Sequence, residues 1–278
     1  MIDNLYVNKA IEYILDHINE DISVDDVAKY CDFSKYYFSR LFKMTTGESI
    51  YAFIKRLKME QSAFRLKIEK DRSVTDISNE YGYSSSNYSS VFKQHHQKSP
   101  AEFRKTIADS SKKHPFSEKK GRIELETYED IDSKIAIEIL ADMRVIYERY
   151  LGNYSELSSN WETFLDKYDK YVNDDTLKIE RDFDDPSITD VNVCLYEICI
   201  TVDKTCDLEN TYILKGGKFA IYKFKGQISY IYTAYQSFFA NWLPNSDYKI
   251  DERYGFEIYR KVDCENMYME IDICFPIK

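Results

Sequence analysis

The sequence is poor in glycine and proline, with eight and five in 278 residues. It holds no glycine-rich loop able to cradle the phosphates of a nucleotide. Its four histidines are His17, His95, His96 and His114. A Ser-His or Cys-His pair within the C-terminal half is therefore excluded. The six cysteines, Cys31, Cys194, Cys199, Cys206, Cys264 and Cys274, form no CxxC pair, and five of them follow residue 190. They read as buried free thiols of a reducing compartment, with no metal or cofactor expected. No apolar stretch approaches a membrane span, and the start, MIDNLYVNKAIEYILDHINED, has no basic segment leading into an apolar run. Neither a membrane helix nor a signal peptide is expected, and the cytoplasm is the expected location.

Basic residues are also short overall, leaving a net charge of −10, but the deficit is local. Residues 1–112 carry 17 Lys and Arg against 16 Asp and Glu, and residues 113–278 carry 21 against 32. Within 34–105 there are 14 basic and 7 acidic residues. A phosphate-binding surface needs that excess in one place. The acidic remainder would repel DNA and suits a cationic ligand or no charged partner.

What is present begins with a repeat. Residues 22–105 contain two diverged copies of one helical unit, 50 residues apart and without a gap. Ser23-Val24 matches Ser73-Val74, and Asp26-Val27 matches Asp76-Ile77. Phe33-Ser34 matches Tyr83-Ser84, Phe38-Ser39 matches Tyr88-Ser89, and Leu41-Phe42-Lys43 matches Val91-Phe92-Lys93. Ser49 and Phe53 match Ser99 and Phe103. So many ungapped matches make structural duplication the simplest explanation. Ser23, followed by Asp25 and Asp26, carries the signature of a helix N-cap. Leu5, Val7, Ile11, Ile14, Leu15 and Ile18 follow helical spacing, and a longer helix is predicted over 51–67.

A helix-turn-helix lays one helix in the DNA major groove, so that helix needs an apolar inner face and a polar outer one. Residues 34–45 fit, with Phe38, Leu41 and Phe42 inward and Lys35, Tyr36, Ser39, Arg40 and Lys43 outward. Arg40 suits a bidentate contact to guanine, worth about 1–3 kcal/mol of discrimination. Lys35 and Lys43 suit phosphates, and Tyr36 suits a sugar or a thymine methyl. The second copy offers Ser85, Ser86, Asn87, Ser89, Ser90 and Lys93. Apart from Asn87, which could read adenine, and Lys93, these side chains reach little. The second head is expected to contribute backbone contacts and shape reading.

Residues 109–133, with Ser110-Ser111-Lys112-Lys113-His114-Pro115 and Glu118-Lys119-Lys120-Gly121, read as a linker. Beyond it, runs such as 191–201, 218–225 and 267–275 read as strands. Two helical patterns stand among them, Leu157, Trp161, Phe164, Leu165, Tyr168 and Ile231, Tyr235, Phe238, Phe239, Trp242. A second repeat, offset by 74, relates Arg144-Val145-Ile146 and Gly152-Asn153-Tyr154-Ser155 to Lys218-Phe219-Ala220 and Gly226-Gln227-Ile228-Ser229. Aromatics around a buried carboxylate are how proteins hold hydrophobic cations. The candidates here are Tyr147, Tyr154, Trp161, Tyr196, Trp242, Phe256 and Tyr259 around Glu257, with Glu197 a second possible acid. Strand alternation puts Glu257 and Tyr259 on one face and Phe256 and Ile258 on the other.

The stretch Ser34-Lys35-Tyr36-Tyr37-Phe38-Ser39-Arg40-Leu41-Phe42-Lys43, then Gly47 and Arg56-Leu57-Lys58-Met59-Glu60, resembles the AraC/XylS family of transcription regulators. Tyr81-Gly82-Tyr83, Phe92-Lys93 and Ser99-Pro100-Ala101-Glu102-Phe103-Arg104 extend the resemblance over about residues 5–106. It implies a seven-helix module whose two reading helices enter successive major grooves. Three positions depart from it. Ser90 stands for a usual arginine, Gln97 for a usual glycine, and the second copy is one residue short before its reading helix.

Residues 134–278 resemble the GyrI-like effector-binding domain. The matching stretches are Gly152-Asn153-Tyr154-Ser155-Glu156-Leu157, Phe183-Asp184-Asp185-Pro186, Gly216-Gly217-Lys218-Phe219-Ala220, Trp242-Leu243-Pro244, Phe256-Glu257-Ile258-Tyr259 and 269–276. The resemblance implies two β-α-β-β halves around a cleft for amphipathic or cationic small molecules, with a glutamate at Glu257. The expected protein is multidomain. It has an all-α double helix-turn-helix domain at 1–108, a linker at 109–133 and an α+β GyrI-like domain at 134–278. It would bind double-stranded promoter DNA and a small-molecule effector, and contact RNA polymerase. No membrane partner and no catalytic residue are expected, and the oligomeric state is left open. The alternatives are a small hydrolase using Glu257 with a tyrosine, and a ligand-free protein-interaction module.

Overall fold

A computed structural model describes residues 1–113 and 123–278. His114, Pro115 and the 118–121 part of the expected linker lie outside the described residues. The chain divides into two compact units. One holds Met1–Ser110 with Asp184–Thr189, the other Ser111–Phe183 with Asp190–Lys278.

The first unit contains seven helices: α1 (Leu5–Asp16), α2 (Val24–Tyr30), α3 (Lys35–Thr46), α4 (Ile50–Ile68), α5 (Val74–Glu80), α6 (Ser85–His96) and α7 (Pro100–Ser110). The 50-residue repeat is realised element by element. Ser23 caps α2 by accepting from the Asp26 amide, and Ser73 caps α5 by accepting from Asp76. These bonds satisfy amides that a helix N-terminus leaves open. The aromatic cores repeat as well. Phe33, Phe38, Phe42 and Phe53 form one chain of ring contacts, and Tyr83, Tyr88, Phe92 and Phe103 form another. Gly47 ends α3 in the left-handed conformation at φ +83°, and Gln97 ends α6 in the same region at φ +59°. The loss of glycine there leaves the turn intact at a local cost of about 1–2 kcal/mol. Lys67 in α4 is held to Asp185 at 2.6 Å inside this unit, and Ile188 packs on the cluster around Phe92.

In the second unit, α8 (Tyr128–Asp132) precedes β1 (Ile135–Leu140) and β2 (Met143–Gly152). Helix α9 (Leu157–Lys167), β3 (Lys178–Asp182), β4 (Cys194–Thr201), β5 (Thr211–Leu214) and β6 (Gly217–Gln227) follow. The chain ends with α10 (Ile231–Ser237), which runs on as a π-helical turn to Trp242, then β7 (Phe256–Asp263) and β8 (Tyr268–Pro276). Residues 126–132 were expected to be linker. They are instead held in this unit: Trp242 Nε1 donates to Asp132, the Tyr222 hydroxyl donates to Glu126, and Ile131 is buried.

The eight strands form one antiparallel sheet in the order β1-β6-β8-β7-β3-β4-β2-β5. Both halves expected from the 74-residue offset are present, β2-α9-β3-β4 and β6-α10-β7-β8. Each half gives its leading strand to the other, since β1 pairs with β6 and β5 pairs with β2. The exchange curls the sheet, so one face packs on itself without a helical cover. That inner face holds Val145, Ile179, Cys199, Phe219, Phe256, Ile258 and Cys274. The crossing is tight at Gly216, where a Cβ would fall 2.2 Å from the Leu140 carbonyl oxygen. The outer face carries α9 on Ile146, Tyr150, Tyr196, Ile198 and Ile200.

Candidate functional site

Each unit offers a distinct surface. On α3 the buried residues are Phe38 and Phe42, as the inward pattern requires, with Leu41 partly covered. Lys35, Tyr36, Arg40 and Lys43 are exposed, Tyr36 by 85%, and Ser39 is half-buried. Lys35 is tied to Asp25 at 2.8 Å, an exposed pair that a phosphate could replace cheaply. Arg40 has no ion pair among the described residues, so its guanidinium is free to reach outward.

On α6, Ser85, Ser86, Asn87, Ser89, Ser90 and Lys93 are all exposed. Three of the serine hydroxyls are nevertheless turned inward. Ser89 Oγ donates to the Ser85 carbonyl at 2.9 Å, Ser90 Oγ to that of Ser86 at 3.2 Å, and Ser85 Oγ to Thr75 of α5 at 3.2 Å. The first two are engaged with their own helix, the third with its neighbour. Of this set, Asn87 and Lys93 keep polar groups of any length.

The second surface lies on the outer face of the sheet, where β3 meets β7. Glu257 stands directly opposite Glu180 in the β3–β7 ladder, and Asp182 lies two residues along β3 on the same face. Glu257 and Glu180 are 5% and 2% exposed. Each carboxylate receives a tyrosine hydroxyl. Tyr235 donates to Glu257 at 2.7 Å, Tyr259 to Glu180 at 2.5 Å, and Tyr154 to Asp182 at 2.8 Å. Tyr196 stacks on Tyr154 at 4.8 Å, and Trp161 lies 5.5 Å from the Tyr259 ring. The indole N–H of Trp161 is buried with no acceptor among the described residues. Burial, then the nearby Asp182 charge, pushes the Glu257 carboxyl up to about 8. Burial and neighbouring carboxylates raise Glu180 well above the usual range, and burial raises Asp182.

Five of the eight residues expected from sequence therefore come together: Tyr154, Trp161, Tyr196, Glu257 and Tyr259. Three do not. Tyr147 and Phe256 fall on the inner face, against Tyr212 and Phe219. Trp242 is buried between Phe238 and Tyr248. Glu197, the second acid considered, also sits on the inner face. It is fully buried and bonded by Arg149, by Arg181 at 3.0 Å and by Tyr212 at 2.9 Å. Its two arginines hold it below the usual carboxylate range against burial, so it is neutralised in place. Sequence reasoning missed Glu180, Asp182 and Tyr235. The alternation Glu180-Arg181-Asp182 around buried Ile179 was the available signal for the acids. Cavities of about 300 and 320 Å³ lie elsewhere, beside His95–Lys98 and around Tyr171 and Cys206, and none of the three acids lines them.

Residues 133–278 match the GyrI-like small molecule binding domain, and residues 27–106 match a helix-turn-helix domain. The chain belongs to the GyrI-like family. Ahead of the GyrI-like domain stands an AraC-type helix-turn-helix unit. The chain is 37% identical over 112 residues to the regulatory protein PocR of Salmonella typhimurium, covering 40% of this chain and 36% of PocR. It is 34% identical over 106 residues to the Msm operon regulatory protein of Streptococcus mutans, covering 38% of each. It is 29% identical over 99 residues to SoxS of Salmonella typhimurium, 35% of this chain and 92% of SoxS. The chain thus spans little more than a third of PocR and of the Msm protein. Among solved structures, the C-terminal domain of AraT from Geobacillus stearothermophilus is similar at 28% identity and a TM-score of 0.35, over 36% of this chain and 84% of that one. No helix among the described residues of this GyrI-like protein is long and apolar enough to cross a membrane.

Proposed function

We propose that this GyrI-like protein is a one-component transcription regulator of the cytoplasm. Its helix-turn-helix unit binds double-stranded promoter DNA. Its GyrI-like domain binds a small amphipathic cation, and occupancy alters promoter binding or contact with RNA polymerase. The observation that carries the ligand half is Glu257, a buried carboxyl with a hydroxyl and aromatic rings around it and no ion-pair partner among the described residues. A bound cation would favour the ionised carboxylate over its protonated form, and the rings would cover the cation's apolar body.

On the DNA side, Arg40 reads bases, with Lys35, Tyr36, Ser39 and Lys43 placing α3. Helix α6 contributes mainly position through Lys93 and its backbone, with Asn87 as its one reader. Arg40→Ala should cost about 1–3 kcal/mol of discrimination between promoter and random DNA in a gel-shift assay. Asn87→Ala should cost less, and the reverse order would make α6 the main reader. On the ligand side, Glu257→Gln should weaken 1-methyl-4-phenylpyridinium in calorimetry while sparing promoter binding. Equal affinity would refute the charge pairing. Mass spectrometry of the recovered probe should show no turnover. Conversion would favour a hydrolase in which Glu257 exchanges protons with the substrate.

A further inference from the structure

Six residues from the middle of the GyrI-like match are built into the helical unit. The chain leaves the second unit after Phe183, gives Asp184–Thr189 to the first and returns at Asp190. The segment is seated by charge and by packing. Lys67, near the end of α4, donates to the Asp185 carboxylate at 2.6 Å and to Ser187 Oγ at 3.1 Å. The two charged side chains are 7% and 9% exposed. Burial alone would raise the Asp185 carboxyl, but Lys67 and Ser187 hold it below the usual range. Ile188 packs on the cluster that holds Tyr88 and Phe92 of α6 and Phe103 of α7. The turn itself is shaped around Asp185. The Ile188 and Thr189 amides both donate to the Asp185 carbonyl at 2.8 Å, and the Ser187 amide donates to its side chain at 2.8 Å.

A buried ion pair adds little stability over apolar packing, yet it fixes one position, because displacement leaves two buried charges unmatched. The segment is also stiff. It holds no glycine, and Pro186 restricts both its own backbone and that of Asp185. Upstream it follows directly from β3. Asp182, bonded by Tyr154 at 2.8 Å, lies three residues before Asp185, a reach of about 10 Å at most. Phe183 between them is buried against Tyr254, with ring centroids 4.9 Å apart. With both ends anchored, a shift of β3 finds little slack to absorb it.

We propose that 184–189 is a strap that couples β3 to the core under the second reading helix. Through Asp185 and Ile188, changes in the sheet reach α6 and changes at α6 reach the sheet. This deepens the regulatory reading above and rests on the helical unit binding DNA. Such coupling is reciprocal, so the DNA side reports it without an effector.

The probe is a duplex recovered by the full chain from a random-sequence pool. Hydrogen exchange of the full chain, followed by mass spectrometry, should show that the bound duplex slows the amides of 178–183 by about fivefold or more, besides those of α3 and α6. In the double variant Lys67→Met/Asp185→Asn, which leaves no lone buried charge, the slowing at 178–183 should disappear while that at α3 remains. Ile188→Ala should reduce it in the same direction. Circular dichroism and melting of each variant check that it is folded. Slowing at 178–183 that persists in both variants assigns the transmission to the chain at Ser110–Ser111 and overturns the strap. Absence of that slowing in the wild type overturns it as well, while leaving the helical unit as the DNA-binding part. A full chain that recovers no duplex from the pool overturns DNA binding itself, and the strap with it.

Discussion

Strands β3 and β4 carry buried acids on both of their faces, and the two faces treat them differently. On the inner face, Glu197 is locked by Arg149, Arg181 and Tyr212. On the outer face, Glu180 and Asp182 hydrogen-bond to each other and stand beside Glu257, and tyrosine hydroxyls reach all three acids. The inner group is complete without anything from outside. The outer group has no arginine beside it among the described residues, and burial holds its carboxyls protonated well above the usual range, so ionising them costs stability. Burial and a titratable carboxyl are common to both faces, and the two differ in whether a cation or a proton balances the acid.

The largest effect that would test this contrast is on the inner face. Arg149→Met should destabilise the protein by about 3–5 kcal/mol in urea denaturation, because Glu197 would keep a buried charge with half its support. A loss under about 1 kcal/mol would mean that the inner group is no more structural than the outer one.

The outer face should behave in the opposite way. A carboxyl raised in the folded state binds more protons there than in the unfolded chain. Stability should therefore fall as pH rises from about 4.5, the unfolded value, through about 8, the folded value of Glu257. Glu257→Gln should match the wild type near pH 4 and exceed it at pH 8. The excess is limited to about 1.4 kcal/mol for each pH unit crossed. A variant that is less stable than the wild type at pH 8 would show that the ionised carboxylate holds the fold together.

The smallest effect sharpens the contrast. Lys167 lies largely in solvent while it neutralises Glu148, which also receives hydroxyls from Tyr150 and Tyr168. Lys167→Met should cost about 1 kcal/mol or less in the same denaturation. A cost near that of Arg149→Met would place Glu148 in the same class as Glu197.

The helical unit was legible because its signals are local. Caps at Ser23 and Ser73 and the inward aromatics sit within one or two turns of each other, and the 50-residue offset repeats them. The exposed face of α3 follows from the same periodicity. The inward turn of the α6 serines was partly legible, since short hydroxyls on a helix have their own backbone within reach. In the sheet, alternation separated Glu257 and Tyr259 from Phe256. It failed for Glu197 because the curled sheet buries both faces, so polarity no longer distinguishes inside from outside. Tyr147 and Trp242 are ordinary core aromatics, and composition does not separate those from a cage. Glu180 and Asp182 escaped notice because their position depends on β3 lying beside β7, a pairing between residues 180 and 257 that no short window contains.

The strand order also sets a timetable for synthesis. All seven helices of the first unit precede residue 111, whereas β8, which ends at Pro276, fills an inner position between β6 and β7. On the ribosome the helix-turn-helix pair has its helices long before the sheet can close, and β7 reaches β3 before its other neighbour exists. A stop codon or protease cut ahead of β8 would thus release a chain that carries every helix of the first unit and an unclosed sheet.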